Sequence, residues 1–555
     1  MSEPWFARYE QNVPRSIVPP SRPITHALLD AAQADPDRPA LISGGLTEGE
    51  SRELVDASMT YRALLELVER CAAGLRTLGI DRGDRVCLHL PNSAQFAITY
   101  YATLAIGGVV VPSNPQYVAR ELRHQLRDSG ARAIVTSQRS VSLVESIRDE
   151  TALEHVIAAD LASFLPQRLQ EGGRGLDLPD TIPFQTLLQS NRLDLDTVGI
   201  EMDELALLLY TGGTTGTPKG AELTHGNIHA NAAQFRVWLP CLKDGEETIL
   251  TALPLFHSYG MTTCLNLGLL IRARLVLIPN PRVLPHILQA IDKHHVTFYP
   301  GVPAMYIAIN HYPQINRFDV RSIKACISGA APLPREVQER FQALTGGNLV
   351  EGYGLSEASP VTHVNPVDKG NRVGTIGLPL PSTEARIVDL ERGTQTLGPN
   401  EPGELVVRGP QVMRGYWQRP EETARVLRDG WLHTGDVASM DEEGYFRLVD
   451  RKKDLILGAG GLNVYPREIE EVLHAHPKIK ECAVIGVPVR GKGERVKAFV
   501  VLNAGASATA EEIVAFCQQN LAPYKVPRFV KFRDQLPKST VGKTLRRVLR
   551  DEELA

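Results

Sequence analysis

The chain has 555 residues, 43% hydrophobic and 22% charged, with a formal net charge of −4; this suits a globular protein of two to four units and excludes a single small domain. No basic tail or patterned basic run accompanies that charge, so nucleic acid is not an expected partner. Seven scattered cysteines without a Cys-x-x-Cys pair argue against a disulfide framework or a zinc site and fit a reducing compartment.

The N-terminal residues MSEPWFARYEQ lack the apolar segment of a signal peptide. Over 24–135 helix-like and strand-like patterns alternate: helices are predicted at 63–78, 93–106 and 121–129, and strands at 85–90, 109–111 and 133–135. That alternation predicts a mostly parallel, doubly wound sheet. Residues 96–112 are the most membrane-like stretch, but they are short for a bilayer span and carry Gly107-Gly108. They read as a core helix leading into a strand. Residues 165–200, rich in Gly, Asp and Pro, read as a surface excursion.

Tyr210 to Gly220 reads YTGGTTGTPKG, with four glycines and four threonines in eleven residues behind the apolar run 205–209. A buried strand is predicted over 205–210, and Ala221-Glu222-Leu223 predicts a return to extended structure. Gly212, Gly213 and Gly216 let backbone N–H groups converge on an anion. Thr211, Thr214 and Thr215 add hydroxyls, and Lys219 adds charge. A polyphosphate needs that combination, whereas an ordinary flexible turn rarely has it. It is not a Walker A loop, which would end in Gly-Lys-Ser/Thr and open directly into a helix. Here the order is Pro-Lys-Gly, and the next helix-start signal is Thr224. Gly542-Lys543-Thr544 has Pro537 where the first glycine should be.

Downstream the alternation returns, with strands predicted at 248–253, 275–278, 297–299 and 323–328 and helices at 262–270 and 283–293. Pro254-Leu255-Phe256-His257-Ser258-Tyr259-Gly260 follows a strand end; His257 is either a pocket residue or a satisfied, half-buried cap on the helix that follows. Gly329-Ala330-Ala331-Pro332-Leu333-Pro334 offers small side chains that would let a flat ring such as adenine approach the backbone, although such turns are common. In Glu351-Gly352-Tyr353-Gly354-Leu355-Ser356-Glu357 a buried tyrosine supplies a stacking face, Ser356 a hydroxyl and Glu357 a hard oxygen. Mg²⁺ carried by ATP takes one or two protein carboxylates beside phosphates and water. A solvated surface glutamate is the plain alternative.

Residues 370–450 change to short strands broken by Gly and Pro, predicting a small β-rich part. Thr434-Gly435-Asp436 is either a ribose-binding carboxylate or a turn aspartate bonded to its own backbone. Arg451-Lys452-Lys453-Asp454 is a basic cluster at a composition boundary. Beyond it an α+β unit is expected, with helices at 467–474 and 510–520 and strands at 483–487, 496–502 and 529–532. Leu536 to Arg546, LPKSTVGKTLR, closes the chain's motifs, and the final EELA is neither a peroxisomal nor a lipidation signal.

These motifs, in this order over almost the whole chain, resemble the adenylate-forming superfamily, most of all its long-chain fatty-acid–CoA ligases. The resemblance implies an α/β fold: a large N-terminal domain, 1–450, of two doubly wound α/β subdomains plus a β-rich part at about 370–450. A hinge at 451–454 and a small mobile α+β domain, 455–555, follow. It places the phosphates of ATP on Thr211 to Gly216 and Lys219, and the nucleotide along Gly329, Ala330, Glu351, Gly352, Tyr353 and Ser356. Mg²⁺ falls to Glu357 and Thr214, the acyl carboxylate to His257, and the ribose to Asp436 and Arg451. Lys453 becomes the hinge and Lys543 the lysine that enters during adenylation. The implied substrates are a fatty acid, ATP and CoA, with Mg²⁺, in a cytoplasmic enzyme without a transmembrane segment; transient membrane contact and oligomerisation stay open. One departure falls in Ile456 to Pro466, where three glycines and one extra residue occupy the loop that should approach the pantetheine arm. A medium-chain or aryl-acid ligase, an acyl-AMP ligase serving a carrier protein, and an ATP- or lipid-sensing protein on the same fold are the rivals.

Overall fold

The computed structural model describes residues 3–47, 53–170, 178–211, 218–451, 454–457, 463–488, 494–539 and 544–554. Cα packing divides the chain into two compact units, one of 8–384 with 408–430, the other of 1–7, 385–407 and 431–555.

The first unit holds two twisted sheets. In the eight-stranded sheet, Leu205–Thr211, Val109–Pro112, Arg85–His89, Ala133–Ser137, His155–Ala159 and Ile182–Pro183 lie in that order and run parallel. Lys219–Thr224 adds antiparallel beside Leu205–Thr211. The nine-stranded sheet is parallel through its centre, from Asn348–Gly354 to Pro39–Leu46, and antiparallel at both edges. Central strands such as Val109–Pro112 and Ala325–Ser328 are buried along their whole length, as expected when helices cover both faces of a parallel sheet. The doubly wound reading therefore holds. Residues 165–200, read from sequence as a surface excursion, include among the described residues the edge strand Ile182–Pro183 and the buried Phe184 and Leu187, whose apolar side chains tie that part to the core.

The helix Ala94–Ala105 is buried at every position, which accounts for its membrane-like composition. Among the described residues no helix is long and apolar enough to cross a membrane. The Tyr101 hydroxyl donates to Asn266 Oδ1 at 2.9 Å, linking this helix to the stretch predicted as helix 262–270. Its first half is a π-helix, Met261–Asn266, continued by the α-turn Leu267–Leu270; single π segments of this kind gather near functional sites. Asn92 joins the two sheets. Its Nδ2 donates to Thr251 O, Leu253 O and Ile278 O, and its Oδ1 accepts from Leu255 N at 2.8 Å.

In the second unit Trp431–Met440 pairs antiparallel with Gly403–Arg408 and with Phe446–Arg451. Of the β-rich part predicted at about 370–450, residues 385–407 and 431–450 pack in this unit, while 370–384 and 408–430 pack in the first. Ile479–Pro488, Glu494–Leu502 and Phe529–Phe532 form a mixed three-stranded sheet. Alternate residues of its strands serve two cores. Cys482, Val484, Val496 and Val500 meet Ile469, Leu473 and Ile513, whereas Ala483, Ile485 and Phe499 meet Leu536 and Leu549. The predicted helix 510–520 and strand 529–532 are found with those bounds.

Candidate active site

The phosphate-loop motif is the connection of a β-hairpin. Leu205–Thr211 and Lys219–Thr224 pair antiparallel, and Thr211 stands opposite Lys219. The expected strand, loop, strand order is therefore present, while Gly212, Gly213, Thr214, Thr215 and Gly216 lie outside the described residues. At the hairpin's exit the cap Thr224 accepts from Asn227 N at 3.1 Å and opens the helix His225–Trp238, where the sequence put its helix-start signal.

Residues not assigned from the sequence brace this hairpin. The Tyr210 hydroxyl donates to Asp128 Oδ2 at 2.7 Å, and Arg419 Nη2 donates to Asp128 Oδ1 at 2.6 Å. His124 Nε2 sits 3.0 Å from Pro218 O; a carbonyl can only accept, so that nitrogen carries the proton. Burial, helped by the Asp128 carboxylate, pushes the Tyr210 phenol well above its ordinary pKa, and it stays a neutral donor.

The nucleotide motifs emerge side by side. Ala325–Ser328 and Asn348–Gly354 are parallel neighbours with Ser328 opposite Glu351, so Gly329-Ala330, just past the end of the first strand, and Gly352-Tyr353, in the last residues of the second, fall at adjacent carboxyl ends, where open α/β sheets bind ligands. Glu351 is buried, and its Oε2 accepts from Leu333 N at 3.1 Å, which fixes the GAAPLP turn. A Cβ on Gly329 would stand 3.0 Å from the Tyr259 ring. The Tyr259 ring packs against this glycine, held by a hydrogen bond from its hydroxyl to Ile327 O at 2.7 Å. Tyr353 is half-buried rather than buried, which leaves part of its ring for stacking.

His257 caps the helical stretch after its motif: its Nδ1 accepts from Tyr259 N at 3.2 Å. Of the two readings open from sequence, the capping bond is the one seen directly, and the ring is half-buried. The neighbouring Ser258 Oγ lies 3.3 Å from Ser356 Oγ, and Thr262 donates to Ser359 O at 2.7 Å. The His257 and Glu357 motifs, about a hundred residues apart in sequence, therefore meet.

Glu357 lies on the short 3₁₀ turn Ser356–Ala358, and its Oε1 accepts from the Tyr416 hydroxyl at 2.9 Å. The Lys219 ammonium stands 5.1 Å from the centre of the same tyrosine ring and pairs with Glu422. Sequence reading missed Tyr416 and Glu422, which lie in RGYWQRPEET; the glycine-aromatic run there was the available signal. No cluster of three His, Cys, Asp or Glu suited to a metal occurs among the described residues. A half-buried Glu357 with one oxygen held by a phenol does fit a nucleotide-borne Mg²⁺, which asks only one or two carboxylates of a protein.

In the second unit Asp436 sits inside the strand Trp431–Met440 and not in a turn, with Arg451 directly opposite in register. The two residues expected at a ribose are thus cross-strand neighbours, though the Arg451 side chain, like Lys453 and Lys543, lies outside the described residues. Gly435, at φ +70, puts a left-handed kink just before Asp436. Thr434 Oγ1 fixes the kink, donating to Leu405 O at 2.7 Å and accepting from Asp436 N at 3.1 Å. Leu457 opposite Asn463 and Ile456 opposite Val464 close the glycine loop as a hairpin, with residues 458–462 outside the described ones. Arg546 lies among three carboxylates, 2.9 Å from Asp450, 3.3 Å from Asp454 and 2.5 Å from Glu470.

Residues 28–417 match the family described as AMP-binding enzyme, and 468–543 match its C-terminal domain. The long-chain-fatty-acid–CoA ligase of Bacillus subtilis (strain 168) is 43% identical, covering 99% of this chain and 98% of that protein. Among solved structures, the anthranilate CoA ligase AuaEII in complex with anthranoyl-AMP is 26% identical with a TM-score of 0.83, covering 97% of this chain and 98% of its own. ATP-bound MatB from Rhodopseudomonas palustris is 29% identical with a TM-score of 0.82, over 96% of this chain and 99% of its own.

Proposed function

The chain belongs to the AMP-binding enzyme family, and from that premise we propose how its residues carry out an AMP-forming ligation of a fatty acid to CoA. The enzyme activates a fatty carboxylate with ATP and passes the acyl group to CoA; full-length similarity to long-chain-fatty-acid–CoA ligases supports this reading. The observation that carries it is the meeting of Lys219, Tyr416 and Glu357 beside the phosphate hairpin.

In the first step a carboxylate oxygen attacks the α-phosphorus of ATP, the bond to the β-phosphate oxygen breaks, and pyrophosphate leaves acyl-adenylate behind. Thr214, Thr215 and Lys219 hold the phosphates, and Lys543 stabilises the charge that grows on the α-phosphate. Gly329, Ala330, Glu351, Gly352, Tyr353 and Ser356 hold the adenine side, Asp436 and Arg451 the ribose, and His257 orients the carboxylate. Glu357 and Thr214 would hold Mg²⁺, which supplies charge neutralisation on the phosphates. In the second step CoA thiolate attacks the acyl carbon, the carbon–oxygen bond of the mixed anhydride breaks, and AMP leaves. Residues 451–454 act as the hinge, pivoting at Lys453, between a domain of 1–450 and one of 455–555. Lys543 serves the first step and the glycine loop near Tyr465 the second, a lid-type alternation. The cytoplasm suits the seven free cysteines.

Exchange of labelled pyrophosphate into ATP, run with a long-chain acid and no CoA, tests the order of steps. The wild-type protein should exchange, and Glu357→Gln should exchange about 10²–10³-fold more slowly. Exchange that appears only when CoA is added would sink the acyl-adenylate intermediate.

A further inference from the structure

We propose that Tyr416 is a positioning residue for adenylation: its hydroxyl fixes Glu357 and its ring fixes Lys219 at one spacing, while Glu422 holds the lysine until nucleotide phosphates displace it. This rests on the reading of Glu357 as metal carboxylate and Lys219 as phosphate lysine.

Three observations carry it. The short strand Gly415–Tyr416 pairs antiparallel with Lys219–Thr224, Tyr416 opposite Ala221, and Trp417 N donates to Gly220 O at 2.8 Å. The backbone of Tyr416 is thereby bound to the strand that leaves the phosphate loop. Its side chain reaches the other way, to Glu357, and Met413 N donates to Glu357 O at 2.8 Å. The segment 413–417 is thus a strap from metal carboxylate to phosphate lysine. Tyr416 is itself fixed, its N donating to Thr423 Oγ1 at 2.8 Å and that hydroxyl donating to Arg419 O.

The chemistry follows from the donor count. A phenol that donates to one carboxylate oxygen leaves the other for a cation and sets the carboxylate's rotation, as outer hydrogen-bond partners do for metal ligands generally. A carboxylate oxygen accepts, so in the 2.9 Å contact the Tyr416 hydroxyl is the donor. The electron-rich ring face attracts the Lys219 ammonium, which keeps the lysine near its place whichever anion it faces. Glu422 is the anion it faces here; nucleotide phosphate is a stronger competitor because it brings several charges.

Binding, not turnover, separates this role from a merely structural one. The probes are Mn²⁺, followed by electron paramagnetic resonance with the non-reacting analogue α,β-methylene-ATP, and the same analogue alone followed by calorimetry. Tyr416→Phe keeps the ring and removes the hydroxyl. It should weaken Mn²⁺ in the ternary complex by about 10–100-fold and leave metal-free analogue binding and the thermal melt unchanged. Tyr416→Ala should weaken both ligands. Glu422→Gln should bind the metal-free analogue more tightly than wild type. The proposal is overturned if Tyr416→Phe holds Mn²⁺ as tightly as wild type, or loses Mn²⁺ and metal-free analogue to the same degree. If Glu357→Gln also holds Mn²⁺ like wild type, the metal reading itself is what fails, and the proposal falls with it.

Discussion

Lys543→Ala is expected to lose acid-dependent ATP–pyrophosphate exchange by about 10²–10³-fold while still converting supplied acyl-adenylate and CoA into thioester and AMP. The reason is where charge develops. Attack on the α-phosphorus adds negative charge to phosphate oxygens that the ground state does not carry, and an ammonium fixed there favours the transition state over bound ATP. Thioester formation places its new charge on the acyl oxygen instead, so the same lysine has little to stabilise. Lys543 is followed at once by anchored chain: Thr544 bridges Lys538, and Leu545 N donates to Pro537 O at 2.8 Å. A substitution at 543 should therefore leave the fold intact, and a thermal melt equal to wild type is part of the expected result. Equal losses in both half-reactions would mean that one fixed arrangement serves both.

The largest expected stability effect is at Arg546, three residues on. Its guanidinium faces Asp450, Asp454 and Glu470, of which Asp450 is 1% exposed. Burial works against its charge, yet the three carboxylates outweigh that and hold its pKa above the ordinary arginine value. Asp450 also accepts from Arg467 N at 2.7 Å, at the start of the helix Pro466–His474, and Glu470 accepts from Val484 N at 2.7 Å. Removing the arginine leaves buried carboxylates facing one another, and breaking such a pair costs about 3–5 kcal/mol. Arg546→Met should show that loss by urea denaturation. Arg547→Met is the control: its exposed pair with Asp551 spans 3.9 Å, and surface pairs contribute about 0–1 kcal/mol. Equal stability of the two variants would contradict the account.

Much of the fold was legible because its elements are strongly patterned. The helix 510–520 starts at Thr509, which caps it by accepting from Glu512 N at 3.2 Å, and central strands announce themselves as unbroken apolar runs. Other elements gave weak signals for physical reasons. The helix His225–Trp238 buries Asn231 and Gln234, so it shows no polar face; those amides bond Val361 O and Pro381 O. Gly44 and Gly45 weaken the strand signal of Pro39–Leu46, although both continue the pairing with Leu54–Thr60. The π segment at Met261–Asn266 has no sequence signature.

The candidate site could be named from sequence where chemistry is concentrated in a short motif, as in YTGGTTGTPKG, of which residues 212–217 lie outside the described ones. It was not legible where one side chain from afar completes it. Tyr416 reaches Glu357 across 59 positions, and Asp128 reaches Tyr210 across 82. No feature of composition marks out Asp128, and Tyr416 is marked by no more than the glycine-aromatic run around it. Glu351 shows the converse: a residue inside a recognised motif turns out to brace a neighbouring turn through Leu333 N.

Release of AMP from ATP and Mg²⁺ across a series of acids from acetate to oleate, with benzoate and coumarate, each with and without CoA, tests the central claim most directly. The account predicts CoA-dependent release that is greatest with the long-chain acids and accompanied by an equal amount of acyl-CoA. Activated acid that accumulates without any CoA turnover would contradict the second step and point to the glycine loop between Leu457 and Asn463. Turnover confined to aromatic or short acids would contradict the fatty substrate.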